Sequence, residues 1–218
     1  MDSINNELWL QKAIAFNVRA RAEMWGRHNS EIMAFTFEYG LSNKTVEKLL
    51  LGWNKRKKLR PFENWGLEPF DNQGKMQFPE GIVVPYVVEE NLKKVTIVGH
   101  LETSVNKNHI IPGSLPVSMV FGTSASLVLV ADNILDGLLL VQECQFNQKR
   151  DDLCIILPHD LAGPSDAHAK AFLDKAGKVV FCCADGRESY SDWAGGVNNP
   201  VYLDYQNQTD LVSKAEGL

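Results

Sequence analysis

The chain is short of the features that define several large protein classes. Its 218 residues contain no run of about eighteen apolar residues, the length a helix needs to cross a bilayer. The opening residues, MDSINNELW, lack the basic-then-apolar order of a secretory leader. A cytoplasmic protein with no membrane partner is expected. Cysteine is sparse: Cys144, Cys154, Cys182 and Cys183 make no CxxC pair and stand at no finger-type spacing from histidine. That argues against a zinc ribbon and for buried, reduced thiols, the more so because Cys182 and Cys183 sit in the apolar run KVVFCCA. Also missing are GxGxxG after a strand, GxxxxGK followed by Ser or Thr, and HExxH, so dinucleotide, P-loop and zincin readings lose their usual support.

What is present is ordinary for a globular domain: 44% hydrophobic and 22% charged residues, in a length that suits one substantial domain or a small one with an appendage. The net charge of −5 argues against a general nucleic-acid binder, but it is unevenly spread. Between Arg19 and Arg60 there are ten Lys/Arg against four Asp/Glu, a local +6, while the rest of the chain carries −11. A basic segment joined to an acidic remainder can attract a polyanion locally. The densest part is Lys55, Arg56, Lys57 and Lys58, with Trp53 and Trp65 on either side. The tryptophans can stack on bases or pack a helical subdomain.

Periodicity places a helix over Glu7 to about Arg27, with Leu8, Ile14, Val18 and Met24 as its apolar positions, and another over Ser30–Glu38 that stops at Tyr39-Gly40. Ser42 caps a third helix, closed by Gly52; a Gly turn between two helices fits an αα-hairpin better than a helix-turn-helix. Lys55 to Gly81 reads as loop. IVVPYVV and the run from Lys93 read as a hairpin across EEN, with Pro85 demoting the first strand to an edge or a bulge. From Ser126 onward strands and helices alternate: strands at Ser126–Ala131, Leu153–Leu157, Lys178–Ala184 and Val201–Leu203, helices between and after them. That is the pattern of βαβ units on a mostly parallel sheet, an α/β class. Three regions are expected: a basic helical one over 1–75, a β-hairpin segment over 76–122 and an α/β domain over 123–218.

The acidic residues at strand ends carry the chemistry. SLVLVADNILDGLLL places Asp132 where a buried strand gives way to a helix, with Asp136 four residues on. The carboxyl edge of an α/β sheet is where ligands and metal ions collect, and paired carboxylates there suit a divalent cation, although Asp132 also fits as a helix cap. FCCADGRES puts Asp185 at the same edge, or makes Asp185-Gly186 a turn. Among the histidines, His28, His100, His109 and His168 suit solvent or loop positions, and His159 follows a strand at the same edge. Gly163, ahead of a helix, could offer N–H groups to a phosphate.

Taken in order, GLSNKTVEKLLLGWN, GIVVPYV with NLKKVTI, IPGSLPVSMVFG, LVLVADNILDGLLL and VVFCCADGRE resemble the TOPRIM-containing primase-like proteins of phages and plasmids, relatives of bacterial DnaG-type primases. The resemblance covers about residues 30–190. It implies a Rossmann-like TOPRIM domain preceded by a helical region and a small β-rich segment, and a nucleotidyltransferase that makes RNA primers on single-stranded DNA. Asp132 and Asp185 would hold Mg²⁺, with Mn²⁺ a substitute, and Asp136 would support them as a third catalytic carboxylate. Lys93, Lys94 and Lys55–Lys58 would contact template or nucleotide phosphates. Nucleotides, and a helicase or other replication protein, would be partners. The family carries Glu where this chain has Asp132, and an Asp where it has Arg187, a cation that would repel Mg²⁺ or pair with a carboxylate. The alternatives are therefore a catalytically degenerate TOPRIM module that binds nucleic acid or a replication partner without chemistry, and a TOPRIM nuclease.

Overall fold

The structure, a computed structural model, describes residues 7–27, 29–69, 74–99, 108–160, 165–184 and 190–218. Met1–Phe37 with Asn43–Leu115 form one compact unit, and Glu38–Ser42 with Pro116–Leu218 form the other. None of the described helices is long and apolar enough to cross a membrane.

In the first unit, α1 (Glu7–Met24) buries Trp9, Ala13, Asn17, Ala20 and Met24, at steps of three and four residues. This is not the face expected, since Leu8, Ile14 and Val18 are exposed, Val18 by 62%. Small residues line the inner face because backbone comes close there. A Cβ on Gly52 would stand 2.7 Å from that of Ala20. Helices α2 (Ser30–Glu38) and α3 (Asn43–Lys48) follow, and Gly52 begins a strand rather than closing α3.

The segment expected as loop contains short strands. Among the described residues of this unit the strands are β1 (Gly52–Asn54), β2 (Lys58–Pro61), β3 (Lys75–Phe78), β4 (Gly81–Val88), β5 (Asn91–Gly99) and β6 (Asn108–Ile110). The ribbon of β2 and β3 stands apart from an antiparallel sheet of order β1-β4-β5-β6. Pro61 and the exposed side chains of β2 hide that ribbon from a hydrophobic pattern. The expected hairpin is β4–β5, turned through Glu89 and Glu90, both at positive φ. Pro85 lies in an inner strand, yet β1 pairs only with Gly81–Val83, so β4 is unpaired by β1 where the proline sits; the register shifts just beyond it, between Tyr86 and Val87. Trp9, Phe62, Trp65, Phe78, Val83 and Ile97 are among the residues of one core beneath the sheet.

The second unit is the α/β domain that the alternation implies. β7 (Met119–Phe121), β8 (Leu127–Ala131), α4 (Ile134–Leu140), β9 (Leu153–Leu157), α5 (Ala167–Leu173), β10 (Lys178–Cys183), α6 (Ser191–Ala194), β11 (Val201–Asp204) and α7 (Gln208–Glu216) follow one another. The sheet runs β11-β10-β8-β9-β7, parallel apart from β7. β8 and β9 are buried at every residue, as strands covered on both faces must be. Val128, Val130, Ile156 and Phe181 share a core with Ala169 of α5 and Trp193 of α6. α4 packs against β8, β9 and α7. Beyond Leu140 the helix widens to π-type over Val141–Asn147. From it the Gln142 amide donates to Gly40 O (2.9 Å) and accepts from Ser42 N (2.8 Å).

Candidate functional site

Asp132 leaves the end of β8, but it does not cap the helix that follows. Asn133 does, in an extended conformation, its side chain accepting from Leu135 N at 2.9 Å. Asp132 therefore lies outside α4, and its four-residue spacing from Asp136 does not put the two on one helix face. The two carboxylates still share surroundings: burial raises the pKa of Cys182 and of the Tyr205 hydroxyl, and the charges of both aspartates add to it. Asp136 is 4% exposed. It is carried inward by its neighbour Gly137, where a Cβ would collide with Leu157 at 1.8 Å; only glycine lets α4 sit this low on β9.

Inside, Asp136 Oδ2 accepts a 2.6 Å hydrogen bond from Tyr205 Oη. Tyr205 follows β11, so it stands at the same carboxyl edge as Asp132. Its hydroxyl is held protonated, first by burial, then by the bond to Asp136 and the charges of both aspartates. Tyr190 is held the same way by burial and then Asp132, and donates to Cys182 O (2.8 Å) and Val130 O (3.3 Å), tying β10 to β8. The thiols are inert hydrophobes: burial pushes Cys144 up to about 11 and Cys154 up to about 12. Among the described residues no three His, Cys, Asp or Glu side chains are placed to hold one metal ion. Mg²⁺ keeps several waters and is commonly held by one or two carboxylates, so the fit turns on Asp132 and on Asp136, one of whose oxygens Tyr205 engages. Asp185, Gly186 and Arg187 lie outside the described residues, as do Gly163, His28 and His100.

At the end of β9, the His159 amide donates to Ser118 Oγ at 3.1 Å. Ser118 in turn donates through its Oγ and its amide to Asp166, the N-cap of α5, which also accepts from His168 N and Ala169 N. This network involves the backbone of His159, which it ties through Ser118 to the N-cap of α5.

The expected basic residues fall in two places. Lys55, Arg56, Lys57 and Lys58 are exposed together at the connection from β1 into β2. Lys93 and Lys94 are on β5, where Lys93 is half-buried and Lys94 is 2% exposed. Trp53 and Trp65 are 4% and 5% exposed, so they pack the core instead of offering free faces to bases.

No family model matches the chain, and no curated protein matches it. Solved structures do. A DNA primase domain from Pseudomonas aeruginosa superposes with a TM-score of 0.67 at 11% identity, over 96% of this chain and 74% of that one. A DnaG primase catalytic domain bound to ssDNA gives 0.65 at 12% identity, over 99% and 79%. The RNA polymerase domain of Mycobacterium tuberculosis DnaG, in complex with a DNA duplex carrying a 6-nucleotide overhang, gives 0.60 at 10%, over 96% and 76%. The fold is that of a DnaG primase catalytic core.

Within this primase-core fold, the sequence pattern singles out Asp132 and Asp136 as expectations and gives little notice of the residues packed around them, Tyr190, Tyr205 and Asn133. Tyr205 carried only a faint signal, since the strand expected over Val201–Leu203 points to Asp204 as the residue beyond it, and Tyr205 takes that position only because the strand runs on to Asp204. Tyr190 carried none, because the carbonyls it joins come from two strands, eight and sixty residues away in sequence.

Proposed function

We propose that this chain is a primase-like protein that handles single-stranded nucleic acid, its ancestral chemistry the divalent-metal-dependent joining of ribonucleotides on a DNA template. The observation that carries the reading is the placement of Asp132 at the carboxyl end of the central strand β8, backed by the buried Asp136, in a chain with the DnaG catalytic-core fold. Asp132 with Asp185 would hold the cation, which would activate the attacking hydroxyl and neutralise the triphosphate. Lys55–Lys58 would bind template phosphates, with Lys93 a further candidate. The test is incorporation of labelled ribonucleotides on single-stranded DNA with Mg²⁺ or Mn²⁺. The expected result is synthesis that Asp132→Ala lowers by about 10²-fold or more, in line with loss of a group that stabilises transition-state charge. Cleavage of the template without synthesis would point to the nuclease instead.

A second reading has its own support. Tyr205 engages Asp136, and Arg187 stands where the family has an acidic residue, so a module that binds nucleic acid or a replication partner without chemistry is the competing assignment. Strand binding that is unaffected by Mg²⁺ and by Asp132→Ala, with no incorporation, would establish it.

A further inference from the structure

The first unit contains a cleft for which template binding alone gives no account. It encloses about 230 Å³, and Arg19, Lys55, Lys58 and Arg60 line it, with Glu23 its one carboxylate. Local geometry brings these residues together. Gly52 lets β1 lie directly on α1, which sets Arg19 and Glu23 beside the residues that leave β1. The Asn54 amide then donates to Arg56 O (3.1 Å), Phe78 O (3.3 Å) and Pro79 O, pinning the turn that carries Lys55 over the end of β3. On β2, Lys58 and Arg60 are two residues apart and so project to one face. The buried rings of Trp53, Trp65 and Phe78 form part of the lining and hold the wall rigid.

Four cations against one carboxylate leave a net of +3 around this space. None of the four has an ion pair or side-chain hydrogen bond to a described residue. Uncompensated like charges repel, so the arrangement invites an anion of matching charge density. A single-stranded backbone bears one charge per nucleotide and is tracked by cations spread along a groove. Here they converge. The space is also below the roughly 300–1,000 Å³ of a pocket that takes a whole drug-sized ligand, so it suits a compact charged head.

We propose that this cleft binds a terminal triphosphate, belonging either to a free nucleotide or to the 5′ end of a strand. It adds to the primase-like reading a phosphate site built wholly from the first unit, and rests on that reading only for the source of the ligand. The probe is inorganic tripolyphosphate, titrated calorimetrically into the full chain without divalent cations. One site per chain is expected, weakened about tenfold or more by Arg19→Ala and by Lys58→Ala with Arg60→Ala, as loss of charge-assisted phosphate contacts requires, and unchanged by Lys175→Ala. Arg19, Lys58 and Arg60 are exposed, and melting curves verify that the variants stay folded.

Two further arms identify the source. Tighter binding of a 5′-triphosphate oligoribonucleotide than of a free ribonucleoside triphosphate assigns the cleft to a strand end, and the reverse assigns it to the nucleotide. Failure of tripolyphosphate to bind, or binding indifferent to Arg19, Lys58 and Arg60, overturns the proposal. So does equal affinity for oligonucleotides bearing 5′-triphosphate and 5′-hydroxyl together with no binding of the free nucleotide, a result that leaves template binding standing. Tripolyphosphate binding with no affinity for any strand upholds the cleft and overturns the template reading.

Discussion

Asp166 is a residue whose ionisation the fold uses directly. Burial alone would raise its pKa, but the Ser118 hydroxyl and the amides of Ala169, Ser118 and His168 outweigh it and hold the carboxyl below the ordinary range. A group whose pKa is depressed in the folded state stabilises fully above its unfolded pKa, and loses that contribution as pH falls through the folded value. Asp166→Asn should therefore cost about 1–2 kcal/mol at neutral pH, the size of a lost cap interaction. The gap from wild type should close below about pH 4, where an unfolded aspartate protonates, as thermal melts across that range would show. Tyr205→Phe, which strips a donor from the buried Asp136, should cost about 1–3 kcal/mol, read as a lower urea midpoint. At this scale the sequence was partly legible. Its strand-end acids could be located, but that Asn133 and not Asp132 is the cap depends on one residue of extended backbone. The burial of Lys94 beside half-buried Lys93 depends on which face of β5 is covered.

Elements were more legible where burial is two-sided. β9 falls on the residues its apolar run marks out, and β8 and β10 within one residue of theirs, because strands covered on both faces write a continuous hydrophobic signal. Periodicity marks α1 but not the face it buries. Size predicts burial only where there is room, and against β1 the room is taken by Gly52 and the alanines of the helix. Gly52→Ala should prise β1 from α1 and destabilise by about 1–3 kcal/mol, the range for overpacking. It should also weaken tripolyphosphate binding, because Arg19 and Lys55 come from opposite sides of that contact. A midpoint equal to wild type would mean that the helix shifts to absorb the methyl group.

For the whole molecule, the basic segment within an acidic chain predicts a salt-sensitive grip on nucleic acid. If Lys55, Arg56, Lys57 and Lys58 each neutralise one phosphate of a single strand, replacing all four with Ala should reduce the slope of log K against log salt by about three, at about 0.7 per phosphate. An unchanged slope would place the contacts elsewhere. The charge split, the class of the second unit and the order of its elements could all be read in one dimension; the division into units could not, since it depends on a short segment joined to residues far along the chain. Glu38–Ser42 belongs with the second unit although the residues on both sides of it belong to the first, and Gln142 grips Gly40 and Ser42 across 102 and 100 residues. The chain thus crosses between units three times. No single peptide bond separates them, so truncation after Leu115 would leave Gly40 and Ser42 without their clasp. During synthesis, the N-terminal helices must emerge and wait for about a hundred further residues before this join can close, a long-range step of the kind that slows folding.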